Sequence, residues 1–341
     1  MFSVLFKSFF MFAPPIQPCA IAPRESDRVV LQQEDAIIIW DGKTQHFIRE
    51  ANFDSTGEDF GFLVPTPSIP KLEEIKPADK NPLHILSSLT DSPVSVKTSW
   101  DVNFMPLLLV FLPQRSMKVQ STNIAVYETQ VAGMDAAVLR PENVEALSNW
   151  LTENNYPYRP ELQDWAQHYI NQGWYLTAFK ISKAQSNQQV KSGLVHMEFD
   201  TEAPFYPYFE PTKKDPVTPS YSQSRRLNLY YFSPQKPNVR LGDNKDWSGE
   251  IVYAKPLDST AVFANSGIQH LVAEGSWLTL VLDRSVQREP HDLWFEVAGD
   301  ATPIERPTKI DYDIKTIWLP LDVVVGGVIT GVAIWLANRN Q

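Results

Sequence analysis

The 341-residue chain carries one cysteine, Cys19, so it can form no internal disulfide and no structural zinc site built from several thiolates. Glycine is scarce, 14 residues against 27 prolines, and the glycine-rich signatures of nucleotide and acyl chemistry are missing. There is no P-loop, no dinucleotide fingerprint and no Gly-x-Ser-x-Gly elbow. Asp59-Phe60-Gly61 invites a kinase reading, which fails because the chain has no phosphate-covering glycine loop and no His-Arg-Asp catalytic loop. Positive charge is also in short supply. Thirty Lys plus Arg face 40 Asp plus Glu, a formal net charge of -10, which argues against nucleic acid as a partner.

What is present is a chain 43% apolar and 12% aromatic, long enough to bury a large core. The abundance of proline favours extended, rigid connections over long helices. The expected fold is α+β, a mostly antiparallel β-sheet with one central helix pair and a C-terminal single transmembrane helix.

Residues 1–22 read as a signal peptide. Lys7 lies ahead of the apolar Phe9 to Ala13, and Ala20-Ile21-Ala22 has the small-x-small form of a cleavage site. Pro14, Pro15 and Pro18 interrupt the apolar stretch and leave open a mere apolar N-terminal segment. At the other end, Ile317 to Ala337 holds one charge, Asp322, and reads as a helix that partners the lipid bilayer. The uninterrupted run Val323 to Leu336 gives only about 21 Å of helix, so a span must borrow Trp318 to Leu321. That places Asp322 in the first turns, where the helix dipole favours a carboxylate, and one of Trp318 and Trp335 at each interface. Gly327 and Gly331 have the small-xxx-small spacing of helix pairs in lipid. The alternative is a buried terminal helix. Lys315 and Arg339 flank the segment on opposite sides, so an extracytoplasmic body rests on the N-terminal signal.

Between the ends, residues 23–209 read as an N-terminal α+β region, 210–226 as a mobile loop, 227–300 as a C-terminal β region and 301–316 as a juxtamembrane linker before the helix at 317–337. Strands are expected over Arg28 to Leu31 and Ala36 to Trp40, with a hairpin at Asp41-Gly42 leading into Thr44 to Ala51. A short helix is expected over Pro82 to Leu89, and the pair within 141–172. Pro141 is placed in the first turn of that pair, the apolar stripes are Val144, Leu147, Leu151 and Leu162, Trp165, Tyr169, Ile170, and Gly173 is the stop. Further strands are read at Asn123 to Thr129, Ala136 to Leu139, Trp174 to Ile181, Leu194 to Asp200, Leu227 to Phe232, Glu250 to Tyr253, Trp277 to Leu282 and Leu293 to Val297. Phe104 to Leu112 is too short to span a membrane.

Several blocks in order resemble a bacterial family, domain-of-unknown-function family 2330. They are Arg28-Val29-Val30-Leu31 with its hairpin, Glu58-Asp59-Phe60-Gly61-Phe62-Leu63-Val64-Pro65-Thr66-Pro67, and then Ala146-Leu147, Trp150-Leu151, Tyr169-Ile170 and Gly173-Trp174-Tyr175-Leu176. Phe199-Asp200-Thr201 with Tyr206-Pro207 follows. The resemblance runs from about Cys19 to Asp300 and implies an exported, often membrane-anchored protein. It brings no catalytic residues and no cofactor.

The six histidines, His46, His84, His168, His196, His270 and His291, are scattered without an HExxH or His-x-His pair, and no metal site is expected. His168, beside the apolar stripe of its helix, reads as structural. Glu198 and Asp200 share a strand face, which reads as solvated rather than as a paired acid and base. Asp243 to Glu250 is acidic, but Lys245 sits where a calcium loop needs oxygen. Trp174, Tyr175, Tyr206 and Tyr208 alternate faces in strands, and an exposed set of such rings would bind a sugar or an envelope protein partner. The function expected is therefore a membrane-anchored extracytoplasmic binding or assembly module of the cell envelope, with catalytic residues unassigned. The alternatives are an envelope enzyme with a site assembled from scattered Asp, Glu and His, and a tail-anchored protein facing the cytoplasm.

Overall fold

The computed structural model describes residues 20–23, 29–55, 60–105, 131–154, 158, 162–181, 188–211, 226–243, 247–285 and 288–320, with scattered positions between 332 and 339. The chain divides into a body, Met1–Asp91 with Glu128–Arg306, and a second unit, Ser92–Tyr127 with Pro307–Gln341. Its elements in order are β1 (Ala20–Pro23), β2 (Val29–Trp40), β3 (Thr44–Ser55), β4 (Phe60–Thr66), β5 (Lys71–Ile75), α1 (Pro82–Thr90), β6 (Val94–Met105), β7 (Asp135–Leu139), α2 (Val144–Glu153) and α3 (Leu162–Asn171). There follow β8 (Tyr175–Ile181), β9 (Gln188–Lys191), β10 (Leu194–Asp200), β11 (Phe205–Tyr206), β12 (Arg226–Ser233), β13 (Pro237–Leu241), β14 (Glu250–Pro256), β15 (Trp277–Asp283), β16 (Leu293–Val297) and β17 (Lys309–Pro320). The described chain is strand-rich α+β with few helices.

The body is organised by a large sheet in the order β14-β15-β12-β2-β3-β10-β5, with β9 added against β3. Its centre is the β2–β3 hairpin. Gly42 takes φ +107°, and the Asp41 carboxylate accepts from the backbone N–H groups of Lys43 at 2.9 Å and Thr44 at 2.7 Å. The run Ala36 to Ile39 is apolar without alternation because both faces of this strand are covered. Ala36 and Ile38 join a core with Phe47, Trp165, Tyr169 and Phe179, while Ile37 and Ile39 join another with Ile48, Leu83, Leu86 and Phe263. Each fully buried side chain of this size contributes about 1.5–3 kcal/mol. β12 lies parallel to β2, with Leu229 opposite Ala36, so chain beyond residue 226 shares one sheet with chain before residue 55. Two smaller sheets, β1-β4-β8-β7 and β11-β16-β13, complete the body.

The helices start on asparagine caps. Asn81 Oδ1 accepts from the Leu83 N–H at 2.8 Å ahead of α1, and Asn143 Oδ1 from the Ala146 N–H at 2.8 Å ahead of α2. α2 therefore begins at Val144, and Pro141 lies ahead of the cap rather than in the first turn. α3 ends where Gly173, at φ +71°, donates its N–H to the Ile170 carbonyl at 2.9 Å.

In the second unit, β6 and β17 pair in parallel, from Val94 opposite Lys309 to Met105 opposite Pro320. This corrects the reading of 301–316 as a linker and of Ile317 as the start of a membrane helix. Ile310, Tyr312 and Ile314 alternate with Asp311, Asp313 and Lys315, a period of two that an extended strand satisfies and a helix does not. Trp318 belongs to this strand. Asp322, Gly327 and Gly331 lie outside the described residues, and Trp335 is an exposed residue at a helical position with the Arg339 guanidinium 5.1 Å from its ring centre. Among the described residues, no helix is long and apolar enough to cross a membrane. The segment before Ala20, residues 106–130 with the strand read at Asn123 to Thr129, and residues 212–225 of the loop read at 210–226 are likewise outside the described residues.

Candidate functional site

The aromatic set does not form a binding surface. Trp174, Tyr206 and Tyr208 are buried, and Tyr175 is half-buried with the Arg140 guanidinium 5.2 Å from its ring centre. The Gln45 side chain holds this stretch in the interior, donating to the Phe205 carbonyl at 2.9 Å and accepting from the Phe205 N–H at 2.9 Å. Trp174 then meets Phe205 edge-on at 4.9 Å, and Phe47 meets Tyr206 at 6.0 Å. Strand alternation suggested one exposed face. Trp174 and Tyr208 lie just outside β8 and β11, so strand alternation does not apply to them, and both are buried with Tyr206.

Tyr208 leads into a buried ionic cluster. Its hydroxyl donates to Asp283 Oδ2 at 2.8 Å, and the Arg288 guanidinium lies 4.5 Å from its ring centre. Arg288 is fully enclosed, with carboxylate oxygens of Glu210 at 3.2 Å, Asp283 at 3.5 Å and Glu34 at 3.9 Å, and Glu34 also meets Arg49 at 2.8 Å. Burial disfavours the charge on Arg288, but the surrounding carboxylates outweigh it and raise its pKa. Burial likewise acts to raise Asp283, and the Ser285 hydrogen bond and Arg288 bring it below its ordinary value instead. Nearby, burial pushes the Asp292 carboxyl up to about 6 although it accepts from the Tyr169 hydroxyl at 2.9 Å and the Phe209 N–H at 3.1 Å. These groups are closed to solvent. They tie β2, β3 and the Asp283-to-Asp292 loop into one register.

Among the described residues, polar groups converge at the surface of the body at a cleft and at a histidine cluster. The first is a cleft of about 190 Å³ whose charged lining is Arg226, Arg284 and Arg306 with Asp91 and Asp283, beside the polar Ser87 and Asn228. Arg306 Nη1 lies 3.6 Å from Asp91, and Asn228 donates to Asp35 at 2.7 Å.

The second site lies where β3, β10 and β5 run side by side. Register sets Glu198 opposite both His46 and Lys71, and His196 opposite both Ile48 and Glu73. Alternation then brings His46, His196, Glu198, Lys71 and Glu73 to one face. His46 Nδ1 is 3.1 Å from His196 Nε2 and 3.9 Å from Glu198 Oε2, and ligand atoms of all three residues lie within 4.8 Å of one another. On its far side, His196 Nδ1 is 3.8 Å from Glu73 Oε2, and Lys71 holds Glu73 at 2.7 Å. Burial lowers the pKa of His46 against the pull of Glu198. Burial and the adjoining His46 push His196 down to about 4. Both imidazoles are thus neutral at pH 7; in the 3.1 Å contact one ring nitrogen donates to the other, and once that shared proton is removed the site offers two nitrogen lone pairs and one carboxylate oxygen.

A family profile described as an uncharacterized protein conserved in bacteria, DUF2330, matches residues 15–214. That is more than half of the 341 residues. The chain belongs to this family. The DUF2330 segment contains His46, Lys71, Glu73, His196 and Glu198, whereas Arg226, Arg284 and Arg306 of the cleft lie beyond it. No curated protein matches the chain. Among solved structures, a crystal structure of baculovirus P35 aligns over 82% of this chain and 100% of its own at 7% identity and a TM-score of 0.36. At that score the likeness carries no argument about fold or function.

The histidine site was missed in the sequence because His46 and His196 are 150 residues apart. One local signal was available. His196-Met197-Glu198 in a strand puts an imidazole and a carboxylate on one face, two residues apart, whereas the pair singled out from sequence was Glu198 with Asp200. Asp200 instead pairs with Lys43 at 2.9 Å and accepts from the Thr44 hydroxyl at 3.0 Å. His168 sits beside Tyr169 and Phe209, with edge-on ring contacts at 5.0 and 5.3 Å.

Proposed function

We propose that this DUF2330 protein is an extracytoplasmic binding or assembly module of the bacterial cell envelope, anchored by its C-terminal apolar segment. The observation that carries the binding reading is the cleft at Arg226, Arg284 and Arg306. It gathers three arginines against two carboxylates, Asp91 and Asp283, around about 190 Å³, so its lining carries a net positive charge in a chain whose net charge is -10, which suits an anionic group. Export is supported by Lys7 ahead of the apolar Phe9 to Ala13; because Ala20–Pro23 form β1, paired with Phe60 to Leu63, the cut belongs ahead of Ala20 rather than at the small-x-small step Ala20 to Ala22. Anchoring is supported by the apolar run Val323 to Leu336. Since β17 extends to Pro320, the helix has Leu321 to Ala337 to work with, about 25 Å, the short end of what spans a bilayer.

Protease treatment of spheroplasts tests the topology, together with the N-terminal sequence of the mature chain. Digestion of the body without lysis and a new N-terminus between Ala13 and Ala20, ahead of β1, is the expected result. Protection with Met1 intact overturns it and leaves a tail-anchored protein facing the cytoplasm. A second reading, an envelope enzyme with a site built from separated Asp, Glu and His residues, is favoured by the convergence of His46, His196 and Glu198.

A further inference from the structure

We propose that His46, His196 and Glu198 form a binding site for a divalent transition metal of the zinc type, with Glu73 as the carboxylate that orients His196. The inference is independent of export and of the arginine cleft. Two zinc-bound nitrogens with bonds of about 2.0–2.1 Å in a tetrahedron stand about 3.3 Å apart. His46 Nδ1 and His196 Nε2 stand 3.1 Å apart on neighbouring paired strands, so the backbone already holds them at the required separation. Glu198 lies directly opposite His46 in the register, with its oxygen 3.9 Å from the same nitrogen. Its side chain is 38% exposed, so a rotamer change can bring its oxygen closer to the two nitrogens.

The outer contacts favour the lone pairs that a metal needs. His196 Nδ1 faces Glu73 Oε2 at 3.8 Å, a contact longer than a hydrogen bond that attracts a proton on Nδ1; that tautomer leaves the Nε2 lone pair facing His46. Lys71, bound to Glu73 at 2.7 Å, fixes the carboxylate, and His270 is near enough to act electrostatically on both His46 and Glu73. Two nitrogens and one oxygen suit zinc, cobalt, nickel or copper, and not calcium or magnesium, which want an all-oxygen shell. Three protein ligands leave a fourth position, and the exposure of Glu198 opens it to water. The competing account is a hydrogen-bonded histidine pair that binds nothing.

The test uses the full chain freed of metal with a chelator. Zinc binding is read by calorimetry, cobalt binding by the visible absorption of the cobalt ion, and folding by circular dichroism. We expect one equivalent of each metal to bind, with cobalt showing a tetrahedral or five-coordinate spectrum. Glu198→Gln, a near-isosteric change at a partly exposed position, and His46→Gln should each weaken binding by tenfold or more while circular dichroism shows the fold retained. Glu73→Gln should weaken it by about 10–100-fold without changing the stoichiometry. Asp200→Asn, on the same strand and outside the three ligands, should bind as the wild type does. Failure of the folded wild-type chain to bind either metal overturns the proposal, as does binding that Glu198→Gln and His46→Gln leave unchanged.

Discussion

Asp292 offers a measurement that isolates one buried charge. Its carboxyl is enclosed, burial sets its folded pKa at about 6 against an ordinary value of 3.8, and its native partners are the Tyr169 hydroxyl and the Phe209 N–H. Between those two pH values the native state holds a proton that the unfolded chain has released. Stability therefore falls as pH rises through the window from about 4 to about 6. A difference of about two pKa units is worth about 3 kcal/mol. Asp292→Asn removes the titration while keeping an oxygen that can accept from both Tyr169 and Phe209. Denaturant unfolding of the wild-type and variant chains at pH 4, 5, 6 and 7 should show the variant gaining about 3 kcal/mol relative to the wild type between pH 4 and 7, with a flat difference above pH 7. Comparison with the variant cancels every other titrating group. A difference constant with pH would refute the reasoning, because it would mean that the two hydrogen bonds offset the burial and that the folded carboxyl ionises like an exposed one.

Two further outcomes follow from the buried cluster and the cleft. Arg288→Met should cost about 3–5 kcal/mol in denaturant unfolding, since Glu34, Glu210 and Asp283 would lose the buried cation they share; a loss under about 1 kcal/mol would show that the cluster is not electrostatically coupled. Inorganic phosphate should bind the wild-type chain, and the double variant Arg226→Ala with Arg284→Ala should bind it at least tenfold more weakly by calorimetry, because each charged hydrogen bond contributes about 1.5–3 kcal/mol; equal binding would remove the cleft from consideration.

The local elements were legible in the sequence where local chemistry decides them. Asp41-Gly42 dictated the hairpin, the unbroken apolar run at Ala36 to Ile39 marked a strand covered on both sides, and Gly173 stopped α3. Pairing was not legible. β12 joins β2 and β17 joins β6 in parallel across long stretches of chain, and side-chain pattern along one strand does not name its partner. At Ile317 to Pro320 an apolar stretch was read as helix because short apolar runs do not distinguish helix from strand, while the alternation just ahead of it at Ile310 to Lys315 carried the answer. The aromatic surface was misjudged for a related reason. Alternation applies only inside a strand, and β11 ends at Tyr206, so Tyr208 is buried by the chain that follows the strand rather than by its position in a sheet.

The histidine pair is hard to account for as packing alone. It shares its sheet face with Ile39, which is opposite His46, and with Ile48, which is opposite His196, and both isoleucines are buried in an apolar core. An aliphatic residue at either histidine position would continue that core and would bury no polar nitrogen. The chain instead sets one buried and one half-buried imidazole in contact, and neither is charged at neutral pH, so the two do not repel and no ion pair rewards their burial. A hydrogen bond between them contributes about 1 kcal/mol net, less than the cost of burying the rings' remaining polarity. The carboxylates then surround the pair on the two sides where a cation and its orienting group require them, Glu198 at the shared nitrogens and Glu73 at the far one. An arrangement that costs stability as it stands becomes favourable once a cation replaces the shared proton. The stabilisation is then large enough to read as a melting shift, about 2.7 kcal/mol at a hundredfold excess of zinc over its dissociation constant, present in the wild-type chain and lost in Glu198→Gln.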